Sequence, residues 1–168
     1  MTKVSLTVKQ AEITEEYLKI KPRIIVLYGA VRSGKTVLAV FLFLLMLAAN
    51  AGGGYHYIIG GVSYSSIRRN VLDVIEDMLD TTINLSKSSS FKLFGNTVHI
   101  FGGADRSAWK TVRGFTAKGA LLNEATALHD MFIIEVMNRT SEAGSQIIMD
   151  TNPDNPMHVV NTQFIQKS

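Results

Sequence analysis

The chain has 168 residues, 46% of them hydrophobic, and a formal net charge of +3. That length supports one domain that buries roughly two thirds of its unfolded surface, and the mild positive charge is well short of that of a dedicated polyanion-binding chain. The absence of cysteine excludes a disulfide framework, a thiolate metal site and a cysteine nucleophile, while the scattered His56, His99, His129 and His158 lack the spacing of a zinc site.

The N-terminal stretch "MTKVSLTVKQAEITEEYLK" carries charges throughout and no apolar h-region, so no secretory signal is read and a cytoplasmic location is expected. "RIIVLYG" (Arg23 to Gly29) is a β-branched run closed by glycine, which predicts a strand. "VLAVFLFLLMLAA" (Val37 to Ala49) is apolar throughout. It is too short for a membrane span of about 20 residues and predicts a helix buried on all sides. "YHYIIGG" (Tyr55 to Gly61) closes a β-α-β unit with parallel strands and a right-handed crossover. In "VSYSSIRRNVLDVIEDMLD" (Val62 to Asp80) the apolar residues Ile67, Val71, Val74, Ile75, Met78 and Leu79 recur at helical spacing. "FKLFGNTVHIFGG" (Phe91 to Gly103) predicts a hairpin turning at Gly95-Asn96. A polar segment around Trp109 follows, then a strand in "GALLNE", a helix near "HDMFIIEVMNRT" and a last strand in "SQIIMDTN". Strands alternating with helices, with one hairpin inserted, imply a three-layer α/β domain with a mainly parallel sheet.

"GAVRSGKT" (Gly29 to Thr36) matches G-x-x-x-x-G-K-[ST], between a predicted strand and a predicted helix, where a phosphate-binding P-loop belongs. The backbone from Gly29 through Val31, Ser33 and Gly34 would wrap a phosphate, and the helix that follows would add the partial positive charge of its N-terminus. Lys35 would reach the β- and γ-phosphates and Thr36 would hold Mg²⁺ through its hydroxyl. Arg32 is open between a γ-phosphate contact in the same chain and a solvated loop position.

In P-loop hydrolases a second buried strand delivers a carboxylate to the Mg²⁺ shell, followed in one large branch by a glutamate that deprotonates the attacking water. "ALLNE" puts Asn123 and Glu124 in those places. Asn123 keeps a carbonyl oxygen for a metal-bound water but lacks the charge, so weaker metal affinity is expected rather than loss of the site. Glu124 reads as the catalytic base or as a helix-start acid. "DTNPDNP" (Asp150 to Pro156) reads both as a turn and as the end of a strand at the ligand-binding edge, with Thr151 and Asn152 as polar sensors of the γ-phosphate.

Taken together, "GAVRSGKT", "GALLNEAT" and "TNPDNPMHVV" resemble the ATPase domain of the large terminase subunit, the DNA-packaging motor of tailed bacteriophages. Gln10 resembles that family's adenine-contacting glutamine, "SYSSIRRNVL" its segment after the second strand, and "VRGFTAKGALLNEA" the approach to its acidic pair. The resemblance covers almost the whole chain. It implies a RecA-like P-loop NTPase of the additional-strand, catalytic-glutamate type that uses ATP and Mg²⁺. It also implies a homo-oligomeric ring acting on double-stranded DNA with a portal protein and a small terminase subunit, and no membrane.

In this reading Lys35 and Thr36 bind phosphate and Mg²⁺, Arg32 is the P-loop arginine, Glu124 is the base, and Thr151 with Asn152 belongs to the coupling motif. Asn123 departs from the family's usual aspartate. The RNase H-like nuclease domain that normally follows is not in residues 1–168, so the expectation is a single motor domain without DNA cleavage. A neighbouring subunit would supply an arginine in trans, with Arg106, Arg113 and Arg139 as candidates. Two readings compete. One is a nucleotide-binding assembly or scaffold module with little turnover because of Asn123; the other is a small-molecule kinase, in which a water-activating Glu124 would waste ATP.

Overall fold

The computed structural model describes residues 4–29, 34–152, 158, 160 and 163. Val31, Arg32 and Ser33 of the loop and Pro153 to Pro156 of the last turn lie outside the described residues. Helix α1 (Val8–Ile20) starts at a capping box, in which the Gln10 N–H donates to Thr7 Oγ1 at 3.1 Å and the Thr7 N–H donates to Gln10 Oε1 at 2.9 Å. It stops at Lys21, which takes a left-handed conformation (φ 51°) just before Pro22.

Strand β1 (Ile24–Tyr28), helix α2 (Lys35–Ala49) and strand β2 (His56–Gly61) follow. Next comes a continuous helical stretch: α3 (Tyr64–Ile67), a π-helical turn (Arg68–Leu72) and α4 (Asp73–Leu79). Strands β3 (Ser90–Leu93) and β4 (Asn96–Gly102) form the hairpin; β5 (Gly119–Leu122), helix α5 (Asp130–Arg139) and β6 (Gln146–Thr151) complete the described elements. Short 3-10 turns at Ala108–Val112 and Ala125–Ala127 flank β5.

The six strands form one sheet in the order β1-β6-β5-β2-β4-β3. All neighbours are parallel except β3, which runs antiparallel to β4 at one edge. The expected β-α-β unit is therefore present in direction but not in adjacency, because β6 and β5 lie between β1 and β2. Side chains alternate across the sheet with the period of two that strand geometry imposes. Tyr57, Ile59, Leu121 and Ile148 pack on the side of α2, while Ile58, Ala120, Leu122, Ile147 and Met149 pack on the side of α5.

Helix α2 buries Leu38, Ala39, Val40, Leu42, Phe43, Leu44, Met46 and Leu47. It is not covered on all sides as expected, since Val37 is 40% exposed and Phe41 and Leu45 are only partly buried. The hairpin also differs by one residue. The turn residues are Phe94 (φ 50°) and Gly95 (φ 75°), both left-handed, and Asn96 pairs with Leu93 as the first residue of β4. The reason is tertiary: Asn96 is 1% exposed and its amide accepts from the Tyr55 N–H at 2.9 Å and donates to the Asn50 carbonyl at 3.1 Å. Among the described residues, no helix is long and apolar enough to cross a membrane.

Candidate functional site

Parallel strands present their carboxyl ends along one edge of a sheet, where ligands bind in such folds. Gly29 leaves β1 at this edge and Gly34 caps α2 with φ 78°, a left-handed conformation that favours glycine. A Cβ on Gly34 would lie 2.9 Å from Gln10 Nε2, so a larger residue would displace that amide. Gln10 Nε2 donates to the Gly34 carbonyl at 3.1 Å, while its Oε1 serves the α1 cap. The glutamine expected to face adenine thus has both ends of its amide on the protein and pins α1 to the loop. Lys35 and Thr36 open α2, the end of a helix that attracts anions. Lys35 Nζ donates to Asn152 Oδ1 at 2.6 Å, which joins the loop lysine to the turn after β6.

The ends of β5 and β6 carry the main polar cluster. Their register pairs Leu122 with Met149, so the next residues, Asn123 and Asp150, sit side by side; each is 1% exposed. Asn123 Nδ2 donates to Asp150 Oδ1 at 3.1 Å and Oδ2 at 3.0 Å, and the Glu124 N–H donates to Asp150 Oδ1 at 2.9 Å. The other end of the amide, the Asn123 carbonyl oxygen expected to meet a metal-bound water, accepts from Asn70 Nδ2 at 3.1 Å. Asn70 is brought there by the π-helical turn, a feature often found at functional sites. Burial pushes the Asp150 carboxyl above its ordinary value and the nearby Glu124 charge adds to this, while the Glu124 N–H, the Asn123 amide and the Lys35 charge pull it down.

Glu124 departs from the strand with a left-handed backbone (φ 52°, ψ 53°) and an exposed side chain. A non-glycine residue there carries of order 1 kcal/mol of strain, and its N–H bond to Asp150 helps hold it. It is also the residue from which the Ala125–Ala127 turn starts, without a side-chain cap hydrogen bond. Thr151, 1% exposed, donates through Oγ1 toward Thr126 Oγ1 at 2.7 Å and accepts from the Thr126 N–H at 3.2 Å. Thr126 Oγ1 donates to the Asn152 carbonyl at 3.1 Å. Thr151 and Asn152 therefore tie the turn after β6 to the turn that carries Glu124, on one side, and to Lys35, on the other.

The candidate residues fall into three hydrogen-bonded groups at this edge, Gln10 with Gly34, Lys35 with Asn152 and Thr151, and Asn123 with Glu124 through Asp150, which chain neighbours connect. Arg139 is elsewhere: its carbonyl accepts from the Ala117 N–H just before β5 starts, and its Nε pairs with Glu135 at 2.8 Å. Arg106 and Arg113 are exposed; Arg113 lies 4.8 Å from the Trp109 ring centroid, and Arg106 lines an open depression with Trp109, Lys110 and His129.

Sequence reasoning missed Asp150, Asn70 and Thr126 as members of the network. The signal for Asp150 was present, since "LLN" and "IMD" are two apolar strands that each end in a polar residue. Among the described residues, no three His, Asp or Glu side chains converge as a metal cage. The donors at this edge, the Thr36 hydroxyl and the Asp150 and Glu124 carboxylates, are few hard oxygens. That set fits a magnesium ion held largely by phosphate and water, and does not fit zinc.

The model of the family "Terminase large subunit, T4likevirus-type, N-terminal" matches residues 26–167. No curated protein matches the sequence. In fold, the chain is similar to the large terminase from a thermophilic bacteriophage (TM-score 0.83, 22% identity, 98% of this chain and 43% of that one). A further structure of that protein is a complex with ADP (TM-score 0.83, 20% identity, 96% and 42%). The HK97 bacteriophage large terminase is similar with a TM-score of 0.74 at 15% identity, over 97% of this chain and 36% of that one. The chain thus spans under half the length of these large terminases, and it shares with them the RecA-like P-loop fold.

Proposed function

Because the chain belongs to the family of T4likevirus-type large terminase subunits, within their N-terminal part, we propose that it is an ATPase motor domain that hydrolyses Mg-ATP to drive double-stranded DNA into a prohead. The observation that carries this reading is that Lys35 bonded to Asn152 at 2.6 Å and Asp150 bonded to the Glu124 N–H at 2.9 Å lie at one edge of the sheet. The similar large terminase of the thermophilic bacteriophage is seen with ADP, which supports nucleotide as the ligand.

In this reading the α2 N-terminus and Lys35 bind the β- and γ-phosphates, and Glu124 accepts a proton from the attacking water. Thr36 and a strand-end carboxylate would hold the magnesium ion, which when bound would supply positive charge against the phosphate. Thr151 and Asn152 pass the state of the phosphate site to the turn after β5. The working form is a homo-oligomeric ring in the cytoplasm of the bacterial host, with portal protein and small terminase subunit as partners and an arginine supplied by a neighbour.

Titration with a fluorescent ATP analogue tests the site. Removing a charge-assisted bond worth about 2 kcal/mol corresponds to about thirtyfold in affinity, so Lys35→Ala is expected to weaken binding by that order. Equal binding by the variant, or no binding by the wild type, would sink the reading. DNA binding, measured in parallel, should weaken steeply with salt.

A further inference from the structure

We propose that Asp150 on β6 carries the carboxylate that steadies the magnesium ion of the bound nucleotide, taking the part for which Asn123 on β5 has no charge. The inference rests on the ATPase reading above and concerns which strand supplies the acid.

The register of β5 and β6 makes positions 123 and 150 neighbours, both at the carboxyl edge. Two carboxylates about 3 Å apart cannot both ionise readily, so one acid and one amide are the stable combination whichever strand bears the acid. A carboxylate only accepts, and this fixes how the amide turns. Asn123 must turn Nδ2 to Asp150, and its oxygen accepts from Asn70. Asp150 keeps a free direction: its oxygens take three contacts, two from Asn123 Nδ2 and one from the Glu124 N–H, out of about four lone-pair directions. An amide at 150 could accept from the Asn123 amide and the Glu124 N–H through its one oxygen without the cost of a buried charge. An acid at 1% exposure, one residue from Thr151 and within electrostatic reach of Lys35, is explained by a cation that needs it.

The test measures metal rather than turnover: Mn²⁺ binding, by electron paramagnetic resonance, to the complex of the chain with a non-hydrolysable ATP analogue. Asp150→Asn keeps one oxygen that can accept from both donors and removes the charge, so it is expected to weaken Mn²⁺ by about tenfold or more, with the metal-free nucleotide complex titrated as the reference. The swap N123D/D150N is expected to restore most of the loss. Undiminished Mn²⁺ binding in Asp150→Asn would overturn the inference, as would a folded swap variant that binds Mn²⁺ no better than Asp150→Asn. If Asp150→Asn fails to fold, Asp150→Ser, which keeps an acceptor for the Glu124 N–H, replaces it in the same comparison. A wild type that binds no nucleotide would overturn the ATPase reading, and this inference with it.

Discussion

Asn123 has every polar atom of its side chain in a hydrogen bond, at 1% exposure. Its part is to hold a buried carboxylate and to join the π-helical turn to β6. Truncation of this side chain to a methyl group would leave Asp150 with one donor, and a buried charged group deprived of a partner costs about 2 to 3 kcal/mol. Urea unfolding of Asn123→Ala should show a loss of that size, and an unchanged midpoint would contradict the role. Sequence alone identified Asn123 and Glu124 as consecutive members of the site, because their strand and position follow from "GALLNE". It could not see that the acid lies next door on β6, since that depends on strand order and register, which are properties of the sheet rather than of any segment.

At the scale of elements, the strands and long helices were legible wherever a β-branched run or a helical period dominated, as in β1, β2, α2 and α5. The errors fall where tertiary contacts overrule local preference: Asn96 leaves the turn for a buried tether to Tyr55 and Asn50, and the π-helical turn interrupts a smooth period to deliver Asn70.

The pairing of β2 with β4 also creates an aromatic cluster in which His56 Nδ1 and His99 Nε2 lie 2.8 Å apart, beside Phe101 and Phe115. Burial, then the His56 and Lys92 charges, push His99 below its ordinary 6.5. The unfolded chain therefore takes up the proton more readily, so this contribution to stability is present above about 6.5 and is lost as pH falls through the depressed folded value. Wild type should lose more stability than His99→Phe on acidification below about 6.5, read by urea unfolding at a series of pH values; parallel losses would contradict this.

For the molecule as a whole, the sheet order puts the P-loop strand β1 beside β6, and β6 beside β5. That arrangement lets one edge collect Lys35, Glu124 and Asp150 from three separated stretches of sequence. The motifs made this legible as a class of chemistry, because a P-loop and a strand-end glutamate have meaning at any separation. They could not give the wiring, in which Lys35, Asn152, Thr151 and Thr126 link the loop to the turn bearing Glu124.

Hydrolysis by an assembling domain would use Glu124 as its base. The most direct measurement is Mg²⁺-dependent phosphate release per subunit across protein concentrations, for wild type and Glu124→Gln. Release is expected to rise with concentration in the wild type and to fall by about a hundredfold or more in the variant, the scale of a lost general base, with ATP still bound. Tight ATP binding with equal, background-level release in both proteins would contradict it and favour a nucleotide-binding assembly module.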